Sequence, residues 1–277
     1  MATTADTDLL YELTPSGVAW ITLNRPDAGN AVTPQQRNDM AQLLTAASGD
    51  LNVRCIVITA AGDRHFCTGA DLRVSKLVVD NGNPPDAPER PTGTVARTII
   101  TGAQKMINAV LDCEKPIICA VNGTAAGIGA HLAFASDLVI AADNAKFIEV
   151  FVRRGITPDG GGAYLLTRLI GPMRAKELIF FGDDLPAARA LELGLVNRVV
   201  PAASLREEAA AWAERLASSP TVALSYAKWC VNRAMDVDRR ISFGDEAIAQ
   251  EAVMTSVDAN EGVAAFVERR QPVYRGW

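Results

Sequence analysis

The sequence predicts an α/β protein closed by an all-helical region. Apolar, β-branched runs of strand length recur at 53–59, 117–121, 137–142 and 195–200. Helix-patterned segments lie between these runs. After Val200 the strand signal stops, and apolar residues recur only at helical spacing. Strands alternating with helices imply a parallel sheet. The change of character near 201–204 divides the chain into a core, residues 1–202, and a C-terminal helical region, residues 203–277.

The elements follow in order. Residues 8–13 and 17–23 read as a hairpin around Pro15-Ser16-Gly17. Thr33, Pro34 and Gln36 supply an N-cap, a first-turn proline and a capping-box partner, so a helix runs from there to about Ala47. Val53 to Thr59 is a buried strand by length and β-branching. His65 to Leu72 is a glycine-containing loop. Residues 80–94 are dense in Pro, Gly, Asn and Asp and read as an irregular flap. A helix over Val95–Leu111 leads to the strand Ile117–Val121.

Asn122-Gly123 ends that strand. A small-residue loop with Gly127 and Gly129 then opens an apolar helix. Glycines at such a junction let backbone approach a ligand, and the first N–H groups of a helix lack partners inside it. The stretch 115–136 therefore reads as half of an oxyanion site. Asp137 to Ala142 is a further strand. Pro158-Asp159-Gly160-Gly161-Gly162 is a third glycine-rich loop before a helix at Ala163–Leu169. Short helices are expected at Met173–Phe181 and Ala187–Leu193, and a last strand at Leu195–Val200. In the tail, Ser204 with Glu207 reads as a capping box, Ser219-Pro220 as the start of a second helix, and two more helices fall near 242–257 and 259–269.

Composition narrows the functional classes. The chain has 277 residues, 49% of them hydrophobic and 21% charged, with a formal net charge of −5. That suits a globular protein with a sizeable core. No block of Lys and Arg is present, which argues against nucleic acid or a membrane surface as partner. The five cysteines form no C-x-x-C pair, and with two histidines they make no zinc set. Cys55, Cys119 and Cys230 sit in apolar surroundings and read as buried free thiols of a cytoplasmic protein. The N-terminus shows no basic and apolar regions of a signal peptide.

Four elements together carry a resemblance. Asn24-Arg25-Pro26…Asn30-Ala31, Phe66-Cys67-Thr68-Gly69-Ala70-Asp71-Leu72, Asn122-Gly123-x-Ala125-x-Gly127-x-Gly129, and Glu261-Gly262…Phe266-x-Glu268-Arg269-Arg270 occur in that order. Over essentially its whole length the chain resembles the crotonase superfamily of enoyl-CoA hydratase/isomerase enzymes. The resemblance implies a spiral of ββα repeats with a C-terminal helical region, a homotrimer or hexamer, an acyl-CoA substrate, and no metal or redox cofactor, coenzyme A being part of the substrate. It also implies an oxyanion hole made by the backbone N–H groups of Ala70 and Ile128, which would hold the enolate oxygen formed beside a thioester. Ile128 stands where the family usually has glycine, which narrows the pocket.

The resemblance also shows a departure. The two hydratase glutamates fall on His131 and Phe151 in this chain, so both acids are absent. Asp159 follows the proline of the third loop, where several family isomerases place an acidic proton carrier. A carboxylate in an apolar pocket gains basicity. Asp159 is thus the expected catalytic residue and His131 a second candidate. Arg25, Phe66, Thr68, Asp71, Lys76, Gly127 and Phe151 are expected around substrate or coenzyme A, with Phe266 and Arg270 reaching a neighbouring subunit's site.

Plainer roles stay open for each. Asp159 suits a helix N-cap on residues 161 and 162, and His131 a hydrogen-bonded pocket wall. His65 suits a structural position, Arg25 a solvated loop, and Phe266 and Arg270 ordinary helix packing. Cys67 lies beside the expected hole without a base to activate it, as wall packing requires. Three functions follow: double-bond isomerisation of an enoyl-CoA through Asp159; hydration, or a hydrolase-type reaction, using His131 with Asp159 or Glu149; and acyl-CoA binding without catalysis.

Overall fold

The computed structural model describes residues 8–73, 86 and 92–277. The hairpin is present as β1 (Leu9–Leu13) and β2 (Val18–Leu23), paired antiparallel. Helix α1 (Pro34–Gly49) opens with the expected capping box: Gln36 N donates to Thr33 Oγ1 at 3.1 Å, and Thr33 N donates to Gln36 Oε1 at 3.0 Å. Such a cap stabilises a helix by ~1 kcal/mol.

Strand β3 (Cys55–Ala60) is followed by a short β4 (His65–Cys67). Helix α2 (Thr94–Thr98) continues through a π-helical turn, Ile99–Gln104, into α3 (Lys105–Leu111). Next come β5 (Ile117–Val121), β6 (Thr124–Ala126) and α4 (Ile128–Ala135). β7 (Leu138–Ala142), β8 (Lys146–Ile148) and α5 (Gly162–Phe181) repeat the pattern. The core closes with β9 (Leu185–Pro186), α6 (Ala187–Glu192) and β10 (Arg198–Val200).

Each repeat contributes one strand to each of two sheets before its helix. The larger sheet has the order β1-β2-β3-β5-β7-β10, parallel beyond the hairpin. The smaller has the order β4-β6-β8-β9. This is the crotonase-like spiral of ββα repeats that the sequence predicts. All six residues of β3 and all five of β5 are buried, which explains why these strands read as unbroken apolar runs. The smaller sheet went unseen in the sequence. Its strands are two or three residues long and fall inside stretches read as loops or left unassigned.

The tail consists of α7 (Leu205–Ala217), α8 (Thr221–Ala234), α9 (Arg239–Val253) and α10 (Val257–Glu268). The Ser204–Glu207 capping box is not formed, because Ser204 closes a 3-10 turn, Ala202–Ser204, and has helical rather than extended backbone. Asp238 caps α9, which starts earlier than its apolar pattern suggested. Ala163–Leu169 and Met173–Phe181 belong to one helix, kinked where Gly171 precedes Pro172. Helix α7 joins the main core through Leu205, Ala209, Ala213 and Ala217, so the boundary at 203 marks a change of secondary structure within one core. Lys228 of α8 is tied to that core by an ion pair with Asp137 at 2.9 Å.

All five cysteines are free, and four are buried. Cys230 is only half-buried, because α8 lies at the surface. Among the described residues no helix is long and apolar enough to cross a membrane.

Candidate active site

The first loop is held by polar side chains. Asn30 donates to the carbonyls of Ala61 and His65 at 2.9 and 2.7 Å, and accepts from Arg25 N at 2.9 Å. Arg25 donates to Ala31 O at 2.8 Å and to Asp71 at 3.1 Å, and pairs with Asp8 at 3.3 Å. The Asp71 carboxylate is buried, and hydrogen bonds from Arg73 hold it well below the usual carboxylate range despite that burial. Arg25 and Asp71 thus form an internal clamp on the loop.

The backbone pairing of that loop leaves one donor over. Val32 N donates to Gly69 O and Asp71 N to Val32 O, both at 2.9 Å, with a parallel bridge joining Val32 and Ala70. Among the described residues the Ala70 N–H has no backbone acceptor. Gly69 is at φ 106°, a conformation that side chains resist, and this turn exposes the Ala70 amide.

The second loop presents a matching donor. Gly127 N donates to Ile148 O at 2.9 Å, anchoring the loop to β8. Gly127 then caps α4, and Ile128 is its first residue. Its N–H, one of the four a helix leaves unsatisfied, also has no backbone acceptor among the described residues. The two loops interlock at Gly129, where an added Cβ would stand 2.3 Å from Cys67 O and 2.6 Å from Cys67 Cβ. Only a residue without a side chain allows α4 to start this close to β4.

The third loop brings in Asp159. Gln104, in the π-helical turn, donates to Asp159 O at 3.1 Å and fixes the loop against the α2–α3 wall. The next residue, Gly160, lies over Ile128 and His131: a Cβ there would be 3.4 Å from Ile128 Cγ1 and 2.8 Å from His131 Nδ1. Asp159 is therefore one residue from contact with the side chain that follows the Gly127 cap. Burial pushes its carboxyl pKa above the ordinary 3.8, while the nearby His131 and Arg37 pull it partly back. The helix-cap role is not realised, since Gly161 is the N-cap of α5 and no side chain bonds its first turn.

His131 is wholly buried beneath this loop. Its Nε2 is 3.2 Å from Glu149 Oε2, and its ring stacks on Phe151 with centroids 5.2 Å apart and planes at 13°. His131 Nδ1 and Glu149 Oε1 have no hydrogen-bond partner. The two positions where the family resemblance leads one to expect the hydratase glutamates are thus a histidine and the phenylalanine stacked upon it.

The remaining expected residues are dispersed. Phe66 is fully buried in the main core, and Thr68 donates its hydroxyl to Gly29 O at 3.0 Å. Both therefore build the loop from within. Burial pushes the Cys67 thiol up to about 11, consistent with wall packing. Phe266 is 84% exposed, and Arg270 is paired with Glu261 and Glu268. The His65 carbonyl accepts from Asn30 Nδ2, and among the described residues the His65 Nδ1 is buried without a partner. Lys76 and most of the 80–94 flap lie outside the described residues. Sequence reasoning missed Arg37 and Gln104, both on helices with no local signal of a site.

Comparison with known proteins supplies a context for this arrangement. The profile of the enoyl-CoA hydratase/isomerase family matches residues 14–276. A 1,2-epoxyphenylacetyl-CoA isomerase of Escherichia coli (strain K12) is 36% identical over 260 residues, covering 94% of this chain and 95% of its own. A short-chain-enoyl-CoA hydratase of Clostridium acetobutylicum is 34% identical over 256 residues, 92% of each chain. The crystal structure of an enoyl-CoA hydratase from Bacillus anthracis superposes with a TM-score of 0.87 at 33% identity, over 98% of this chain and all of the other.

Proposed function

Because the chain belongs to the enoyl-CoA hydratase/isomerase family, we propose that it moves a double bond along an enoyl-CoA, with Asp159 carrying the proton. The family makes it an acyl-CoA-transforming enzyme; the reaction is our reading. The observation that carries it is the conjunction of one half-buried, pKa-raised carboxylate, Asp159, with two free backbone donors, Ala70 and Ile128. Both hydratase glutamate positions are empty of acids.

In this mechanism the thioester oxygen accepts from the Ala70 and Ile128 N–H groups. The Asp159 carboxylate takes a proton from the α carbon of a 3-enoyl group. The electron pair of that C–H bond shifts onto the thioester oxygen as a dienolate, which the two donors stabilise; one such donor contributes ~3 kcal/mol. Asp159 then returns the proton to the γ carbon, leaving a conjugated 2-enoyl thioester and the carboxylate as it began. A raised pKa suits a group that must both take and give a proton. The exposed apolar side chains of α9 and α10, Phe243, Ile248, Val263 and Phe266 among them, suit association into a trimer or hexamer.

Asp159→Asn tests this. Conversion of a 3-enoyl-CoA, followed by absorbance of the conjugated product, should fall by about 10³-fold, within the range for general acid–base groups. Binding of an unreactive acyl-CoA should persist. Turnover at the wild-type rate would remove Asp159 from the chemistry.

The His131–Glu149 hydrogen bond favours a second reading, hydration with this pair handling a water. His131 is 0% exposed, so that reading requires the third loop to move. Consumption of a 2-enoyl-CoA with incorporation of water, abolished in His131→Asn, would establish it in place of the first.

A further inference from the structure

Resting on the acyl-CoA reading, we propose that Arg37 receives an anionic group at the far end of the acyl chain, so that the substrates are acyl-CoA thioesters whose tail carries a carboxylate. Arg37 lies on the first turns of α1 and is 8% exposed. Its Nε is buried without a hydrogen-bond partner, and among the described residues it enters no ion pair. A guanidinium does not shed its charge at working pH. A buried cation without a direct partner is costly unless something compensates it.

The surroundings place that charge within the site. Helix α1 begins two residues after Val32, which is bridged to Ala70. Facing Arg37 is the π-helical turn, where Gly102 withholds a side chain: a Cβ there would be 3.4 Å from the guanidinium carbon. Among the described residues Asp159 is a charge near enough to act on Arg37, offsetting part of its burial without forming an ion pair with it. Gln104, from the same turn, holds the Asp159 backbone. The proposal places three groups on the substrate: the Ala70 and Ile128 amides at the thioester oxygen, Asp159 at the reacting carbons, and Arg37 at the tail. A tail carboxylate there would accept from Nε and a terminal nitrogen together, the strongest geometry a guanidinium offers.

The alternative is that Arg37 serves only Asp159, in which case neutral acyl groups bind equally well. The test measures calorimetric binding of saturated mono-CoA thioesters of C4–C8 dicarboxylic acids against monocarboxylic acyl-CoAs of equal length. Saturated esters report binding without chemistry. The wild-type protein should favour the carboxylated series by 10- to 100-fold, and Arg37→Met should collapse the ratio to near one, with Arg37→Lys between. If the Met variant fails to fold, the wild-type ratio alone decides. Equal or tighter binding of the neutral series, or a preference that survives Arg37→Met, overturns the assignment of Arg37. Binding of neither series overturns the acyl-CoA reading itself, and this one with it.

Discussion

Gly129→Ala separates the oxyanion geometry from every side chain that carries chemistry. The added methyl group would stand 2.3 Å from Cys67 O, 2.6 Å from Cys67 Cβ and 2.9 Å from Cys67 C. An ordinary carbon–carbon contact is ~3.5–4.0 Å, so the overlap with Cys67 Cβ is about 1 Å. Two of the three obstructing atoms are backbone, so no rotamer change relieves it. Either α4 or the β4 strand must yield, and each adjoins a proposed oxyanion donor: Ile128 opens α4 one residue before the substitution, and Ala70 follows β4 three residues after Cys67. A shift of that size takes one donor out of hydrogen-bond range of the thioester oxygen. Loss of one donor costs ~3 kcal/mol of transition-state stabilisation, or about 10²–10³ in kcat. Overpacking also destabilises the fold, typically by ~1–3 kcal/mol.

The assay has three readings: kcat on whichever enoyl-CoA the wild type consumes, calorimetric binding of an unreactive acyl-CoA, and urea unfolding. The expected variant is folded, binds the thioester, and turns over at least 100-fold slower. A folded Gly129→Ala protein with wild-type kcat would refute the assignment of the Ala70 and Ile128 amides, since the strain cannot leave both donors in place.

Other expectations follow from the same geometry. Because burial raises the Asp159 pKa, its ionised form gains activity as pH rises, and the acid limb of kcat should centre above the ordinary 3.8. A raised carboxylate pKa also means that ionisation subtracts stability as pH climbs past the unfolded value, so Asp159→Asn should match the wild type in stability below about pH 3 and equal or exceed it near pH 7 in urea titrations; a less stable variant at pH 7 would contradict the sign. Glu149→Leu leaves His131 buried without its hydrogen-bond partner and should cost ~1–3 kcal/mol by urea unfolding, whereas Glu149→Gln should cost less; equal losses would argue that the hydrogen bond contributes nothing. With the Cys67 thiol near 11 and buried, iodoacetamide at pH 8 should leave turnover intact, and rapid inactivation traced to Cys67 by mass spectrometry would show it to be reactive.

Much of the fold was legible because it is locally encoded. The central strands β3 and β5 of the larger sheet were read from apolar runs that are buried on both faces, and α1 from a capping box that forms as expected. The smaller sheet was not legible, since strands of two and three residues such as β9 and β8 have no periodicity to detect and depend on partners far along the chain. The Ser204 cap failed because a preceding 3-10 turn had already set its backbone. In the candidate site, the two amides and Asp159 were singled out through glycine-rich loops, and the structure leaves both amides without backbone acceptors among the described residues. Arg25, Phe66 and Asp71, expected around the ligand, also brace the loop from inside.

The sequence by itself determined the family and the α/β core with its helical tail, and it placed His131 and Phe151 where the family resemblance leads one to expect the hydratase acids. These reside in the order of residues and need no coordinates. Only the tertiary structure decided which polar groups are left over once the chain has packed. Among the described residues it pairs His131 with Glu149, leaves the amides of Ala70 and Ile128 without backbone acceptors, and buries Arg37 with no direct partner. Such residues of hydrogen bonding and charge arise from the sum of long-range contacts, and no local pattern records that sum.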